Sequence, residues 1–137
     1  MLFETKITAR YAETDQMGVI HHAVYPVWYE VARTDFIKAF GISYSQMEQM
    51  GIMLPLIELS CNYKKPAHYE DELTIKVHIS LLTHVKIEFT YEIFNVNGEV
   101  IHVGSTLHAW TNLELKPISM KKQFPEIFHL IQKAQKG

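Results

Sequence analysis

The hydrophobic period of this chain switches from helical to strand-like near its middle, and the two long stretches on either side constrain the fold most. From Val24 through Val27, Trp28, Val31, Ala32, Phe36, Ala39 and Phe40, apolar residues recur every three or four positions, which places them along one stripe of a helix. From Ile57 onward the period is two. The runs are Ile57, Leu59, Cys61 and Tyr63; Leu73, Ile75, Val77, Ile79 and Leu81; Val85, Ile87, Phe89, Tyr91 and Ile93; and Ile101, Val103, Leu107 and Ala109. A shorter alternation, Phe3, Thr5, Ile7 and Ala9, precedes the helix. One strand, one long helix and four half-buried strands leave few solutions. The helix must bury its stripe against one face of an antiparallel sheet, which predicts an α+β chain in two layers.

Local signals sharpen the boundaries. Pro26 suits a first helical turn and Gly41 a left-handed stop, so the long helix is predicted from about Val24 to Phe40. Ser45-Gln46-Met47-Glu48 reads as a capping box for a short second helix ending near Gly51. Asn97-Gly98 predicts a type I′ hairpin between the last two strands. Phe124, Ile127, Phe128, Ile131 and Ala134, with Pro125 as a starter, form an amphipathic segment that either packs on the sheet as a short C-terminal helix or frays.

Composition narrows the function classes. The 137 residues, without repeats or linkers, fit one domain spanning 1–137. A net charge of −2 argues against a nucleic-acid binder, which needs clustered cations. The single cysteine, Cys61, permits no intrachain disulfide and lies in an apolar strand phase, where a small buried hydrophobe is expected. The start lacks a basic-then-apolar leader, and no apolar run approaches the ~20 residues of a transmembrane helix, so a cytoplasmic, soluble protein is expected. No G-x-S-x-G elbow, G-x-G-x-x-G loop, P-loop or H-E-x-x-H helix occurs, so neither a serine nucleophile of that kind, a nucleotide cofactor nor a metal is expected.

The segment from Arg10 to Tyr25, Arg-Tyr-Ala-Glu-Thr-Asp-Gln-Met-Gly-Val-Ile-His-His-Ala-Val-Tyr, resembles the signature of the 4-hydroxybenzoyl-CoA thioesterase family, and within it the YbgC-type acyl-CoA thioesterases. The resemblance continues through Trp28 to Thr34 and Tyr63 to Leu73. It implies a hotdog fold, an antiparallel sheet of about five strands wrapped around one long central helix. It also implies that Asp15 is the catalytic carboxylate, that the N-terminus of the long helix faces a thioester carbonyl, and that two or four copies of the chain assemble into a homodimer or homotetramer.

The residues make such chemistry sensible. Helix N-termini carry unpaired N–H groups and partial positive charge, so a backbone donor near His22 could stabilise an oxyanion, while Gly18 would allow a sharp turn close to the ligand. An aspartate in water is ionised at neutral pH, so Asp15 could attack the thioester or activate water. The His22 imidazole could orient water or merely cap the helix. Tyr25 and Tyr29, one turn apart, either pack in the core or line an acyl pocket. Glu30 and Arg33 suit a surface polar pair, with Glu30 a reserve acid. Lys64, Lys65, His84 and Lys86 could receive CoA phosphates, although solvated faces look the same. The expected reaction is hydrolysis of an acyl-CoA, or of an acyl-carrier-protein thioester, to an acid and a thiol without a cofactor. Two rivals are a non-catalytic acyl-thioester-binding module and a hotdog dehydratase or hydratase.

Overall fold

A computed structural model describes residues 3–136. Strands β1 (Phe3–Thr8), β2 (Leu56–Tyr63), β3 (Glu72–Leu82), β4 (Lys86–Phe94) and β5 (Val100–Ala109) form one sheet in the order β1-β3-β4-β5-β2, every pair antiparallel. Helix α1 (Tyr25–Ala39) lies across one face, entered by a 3-10 turn at His22–Val24. Helix α2 (Tyr44–Gln49) leads into β2, and α3 (Met120–Gln123) and α4 (Pro125–Lys136) follow β5. This is the hotdog arrangement.

The period-two runs explain how β3 and β4 hold α1. Leu73, Ile75, Val77 and Ile79, and Ile87, Phe89, Tyr91 and Ile93, are all buried, while the residues between them face outward half-buried. Phe36 of α1 packs among Phe3, Phe40 and Phe89, and Tyr29 stacks flat on Tyr91 with ring centres 4.2 Å apart. Pro26 sits in the first turn of α1 and Gly41, at φ +91°, ends it. The C-terminal segment is helical, and α4 buries Ile127, Phe128, Ile131 and Ala134. Among the described residues no helix is long and apolar enough to cross a membrane.

Four details depart from the sequence expectations. The capping box of α2 is Ser43 with Gln46, two residues earlier than expected: the Ser43 hydroxyl accepts from the Gln46 N–H, and Gln46 accepts from the Ser43 N–H at 2.8 Å. The β4–β5 hairpin is not type I′, because Gly98 has positive φ and Asn97 does not. Asn95 decides this: its side chain accepts from the N–H groups of Asn97 and Glu99, and its carbonyl from Gly98, winding a longer loop. In β5 the face against α1 is His102, Gly104, Thr106 and His108, whereas Val103, Leu107 and Ala109 point the other way. The tyrosine tips impose that phase. Tyr29 hydrogen-bonds His102, Tyr91 hydrogen-bonds Thr106 at 2.6 Å, and Gly104 leaves the room Tyr29 needs, since a Cβ there would lie 1.8 Å from its hydroxyl. Finally, β2 buries no alternate face. It is an edge strand whose Leu56, Ile57, Leu59 and Tyr63 remain about half exposed.

Candidate active site

Where α1 begins, the chain from Glu13 to Val24 makes a loop of few residues with many bonds. Thr14 and Ile20 bridge across it, the Asp15 N–H donates to the Val19 carbonyl at 2.9 Å, and Gly18, at φ +79°, donates to the Asp15 carbonyl. Gly18 therefore supplies the turn, and its N–H is spent within it. Asp15 closes an Asx turn: one carboxylate oxygen accepts from the Met17 N–H at 2.8 Å, and the other is uncommitted among the described residues.

The loop's end prepares a donor. The His21 N–H goes to the Glu13 carbonyl, the Ala23 N–H to Nδ1 of His21, and the Val24 N–H to the His21 carbonyl. The His22 N–H has no partner among the described residues. The capping ring is thus His21, while the exposed His22 ring stacks on it at 4.2 Å. Asp15 and His22 open into one cleft of about 290 Å³, walled by Ile20, Tyr25, Tyr63 and Pro66.

Of the residues singled out in the sequence, Asp15, His22, Tyr25, Lys64 and Lys65 share this cleft. Lys64 has no ion-pair partner among the described residues, whereas Lys65 pairs with Glu99. Tyr29 lies elsewhere, fully buried beneath the helix against His102. His84 and Lys86 belong to the far end of the sheet. His84 packs edge-on against Phe128 of α4, and Lys86 pairs with Ala109, about 26 Å along β5 from the Ile101 that holds Lys64. Glu30 and Arg33 form no ion pair; they border a separate polar cavity with Tyr44 and His108. Among the described residues no three His, Cys, Asp or Glu side chains converge as metal ligands would. Cys61 is half-buried, its sulfur 3.5 Å from the Tyr29 hydroxyl.

Three residues that sequence reasoning did not select complete the site. The Tyr63 hydroxyl donates to the His22 carbonyl at 2.7 Å, joining β2 to the turn that carries the free N–H. His102 lies under the cleft, stacked on Tyr25 at 4.3 Å and edge-on to Tyr63, and burial pushes its imidazole down to about 4. Glu13 is 8 % exposed and accepts from the Arg10 N–H, the Arg10 guanidinium and the Trp28 indole. Burial works against its ionisation, but these donors outweigh that and hold it below the usual carboxylate range.

An antiparallel sheet around one helix, with an oriented carboxylate and a residue with an unpaired helix-entry N–H lining one cleft, is an arrangement suited to acyl transfer. The thioesterase superfamily model matches residues 17–102, well over half the chain, and the chain belongs to that superfamily as a thioester hydrolase. "Putative acyl-CoA thioesterase YneP" of Bacillus subtilis is 39% identical over 132 residues, covering 96% of each chain. The acyl-CoA thioester hydrolase YbgC of Escherichia coli is 26% identical over 122 residues, covering 88% of this chain and 91% of its own. The solved DHNA-CoA thioesterase of Staphylococcus aureus superposes with a TM-score of 0.93 at 40% identity, over 98% of this chain and 91% of that one.

Proposed function

We propose that the chain hydrolyses acyl-CoA thioesters through the Asp15 carboxylate. One juxtaposition carries the reading: Asp15, with one carboxylate oxygen uncommitted, and His22, with its N–H unpartnered, line the same cleft. A thioester carbonyl that places its oxygen on that N–H, at the positive end of α1, has its developing oxyanion met by a fixed donor. Asp15 then works by one of two routes. Direct attack gives a mixed anhydride that water opens, and proton abstraction sends water to the carbonyl carbon; both leave a free acid and a thiol. Lys64, at the exposed edge of the cleft, receives a carrier phosphate. CoA and acyl carrier protein end in the same phosphopantetheine thiol, so either carrier presents one.

The site is completed by a second copy of the chain in this reading. β2 carries an unpaired outer edge and a row of exposed apolar side chains. An apolar edge of that kind is an association surface, and a homodimer or homotetramer would cover it.

Thiol release from short-chain, long-chain and aromatic acyl-CoAs, and from one acyl-carrier-protein thioester, tests the proposal. At least one CoA thioester is turned over, and Asp15→Asn lowers its kcat by about 10³-fold or more. His22→Ala, which keeps the backbone donor, loses far less. Near-normal turnover in Asp15→Asn would remove the carboxylate from the mechanism.

A further inference from the structure

We infer that the buried Glu13 carboxylate is a positioning residue, which sets where Asp15 stands relative to the His22 N–H; this rests on the reading of Asp15 just proposed. The two reacting groups lie at opposite ends of one loop, so their separation depends on how the loop ends are tied. Beside the Thr14–Ile20 bridge and the Tyr63 bond, two of these ties run through Glu13. Its backbone is two residues before Asp15, its carbonyl accepts the His21 N–H at 2.8 Å, and its side chain accepts the indole N–H of Trp28, in the first turn of α1, at 3.1 Å. The Arg10 N–H at 2.8 Å and the Arg10 guanidinium at 3.0 Å hold the same carboxylate from the strand side. One residue therefore touches the start of the loop, its end and the helix.

The chemistry demands a carboxylate there. All three side-chain partners are donors, and an ionised carboxylate is acceptor-only. A carboxamide of the same shape turns an N–H₂ toward a donor, so one bond is lost and the loop shifts. A displacement of about 1 Å between reacting groups is enough to cost up to about 100-fold in rate. Tyr63 and Lys64, the cleft residues proposed to hold the rest of the substrate, make no hydrogen bond or ion pair with Glu13, so binding is expected to be left largely intact.

The test compares Glu13→Gln and Trp28→Phe, which deletes the indole donor from the other side of the bond and also shrinks a buried ring, with Asp15→Asn and the unaltered chain. Steady-state thiol release is read together with thermal melts. Glu13→Gln is expected to lower kcat about 10- to 100-fold with KM within threefold, and Trp28→Phe to lower it less in the same pattern. If both variants melt earlier but keep kcat within twofold while folded, Glu13 is structural only and the inference falls. If Asp15→Asn itself retains turnover, the reading of the site falls with it. Should Glu13→Gln fail to fold, Trp28→Phe alone decides between these outcomes.

Discussion

The two ends of α1 are held by different physics. At its C-terminal end Phe36 meets Phe3, Phe40 and Phe89, and contact there is mainly apolar, the Thr5 hydroxyl donating to Asp35 at 2.7 Å being the polar exception. At its N-terminal end nearly every side chain that enters the interior brings a polar atom to a partner: Trp28 to Glu13, Tyr29 to His102, Tyr63 to the His22 carbonyl. Packing fixes where the helix lies, with a few tenths of an ångström of tolerance shared among many contacts. Hydrogen bonds fix directions, and the proposed site, which would aim a carboxylate at a carbonyl carbon and an N–H at its oxygen, needs directions. The end proposed to do chemistry is the end where more of the packing is polar.

The largest break of this contrast is Phe36→Ala. The ring is fully buried, and its removal leaves a cavity costing about 3–5 kcal/mol. Because Phe36 lies 11 residues along α1 from Tyr25, roughly 16 Å away, the protein that remains folded should keep kcat within about twofold. Melting curves and turnover at a temperature below the lowered transition check both halves. A fall in kcat matching the fall in stability would mean that the two ends are not separable.

A second measurement acts on both ends of β5 at once. His102 sits at the site end and His108 six residues further, and burial pushes each imidazole down to about 4. In the unfolded chain both titrate near the ordinary value of ~6.5. Between those limits the unfolded chain binds protons that the folded chain refuses, so stability falls as pH drops from about 6.5 toward 4 and is level above. The two together contribute on the order of a few kcal/mol. Thermal melts from pH 7.5 to 5 should show a progressive decline beginning below 6.5. A melting temperature that stays flat to pH 5 would show that neither histidine is buried as neutral imidazole.

The same contrast explains what was legible in the sequence. In β3, β4 and α1 hydrophobic period finds most of the core: Leu73, Ile75, Val77, Ile79, Ile87, Phe89, Tyr91 and Ile93 are buried, as are Trp28, Ala32 and Phe36, whereas Leu81 and Val85 at the ends of their runs and Val27 and Val31 at the rim of the helical stripe are exposed. β5 was misphased since its inner face is polar: the alternation of His102, Gly104, Thr106 and His108 is as regular as that of Val103 and Leu107, and only the tyrosines across the layer decide which face turns inward. The two-residue error at α2 and the altered hairpin have a related origin, in that Ser43 and Asn95 bond backbone groups that no periodicity reveals. Asp15, Gly18 and His22 stand out as candidates because they sit in one contiguous stretch. Tyr63, Glu13 and His102 were not singled out, since what each does depends on a residue 15 to 73 positions away. Tyr63 was taken for a core position in an alternating strand, and it is an edge residue whose hydroxyl reaches the helix entry.

Tyr63→Phe makes the smallest and cleanest cut at the polar end. It deletes one oxygen from a half-exposed ring and leaves the edge-on contacts with Tyr25 and His102 in place. A single hydrogen bond of this kind contributes about 1 kcal/mol net, and the freed His22 carbonyl can be met by water, so the melting temperature should move by only a few degrees. The His22 turn, no longer tied to β2, would sample positions in which its N–H misses the oxyanion. That loss falls on the transition state and not on ground-state binding, so kcat is expected to drop about 5- to 10-fold with KM little changed. Equal shifts in KM and none in kcat would make Tyr63 a wall of the cleft and nothing more. The polar end would then be directed by Glu13 alone.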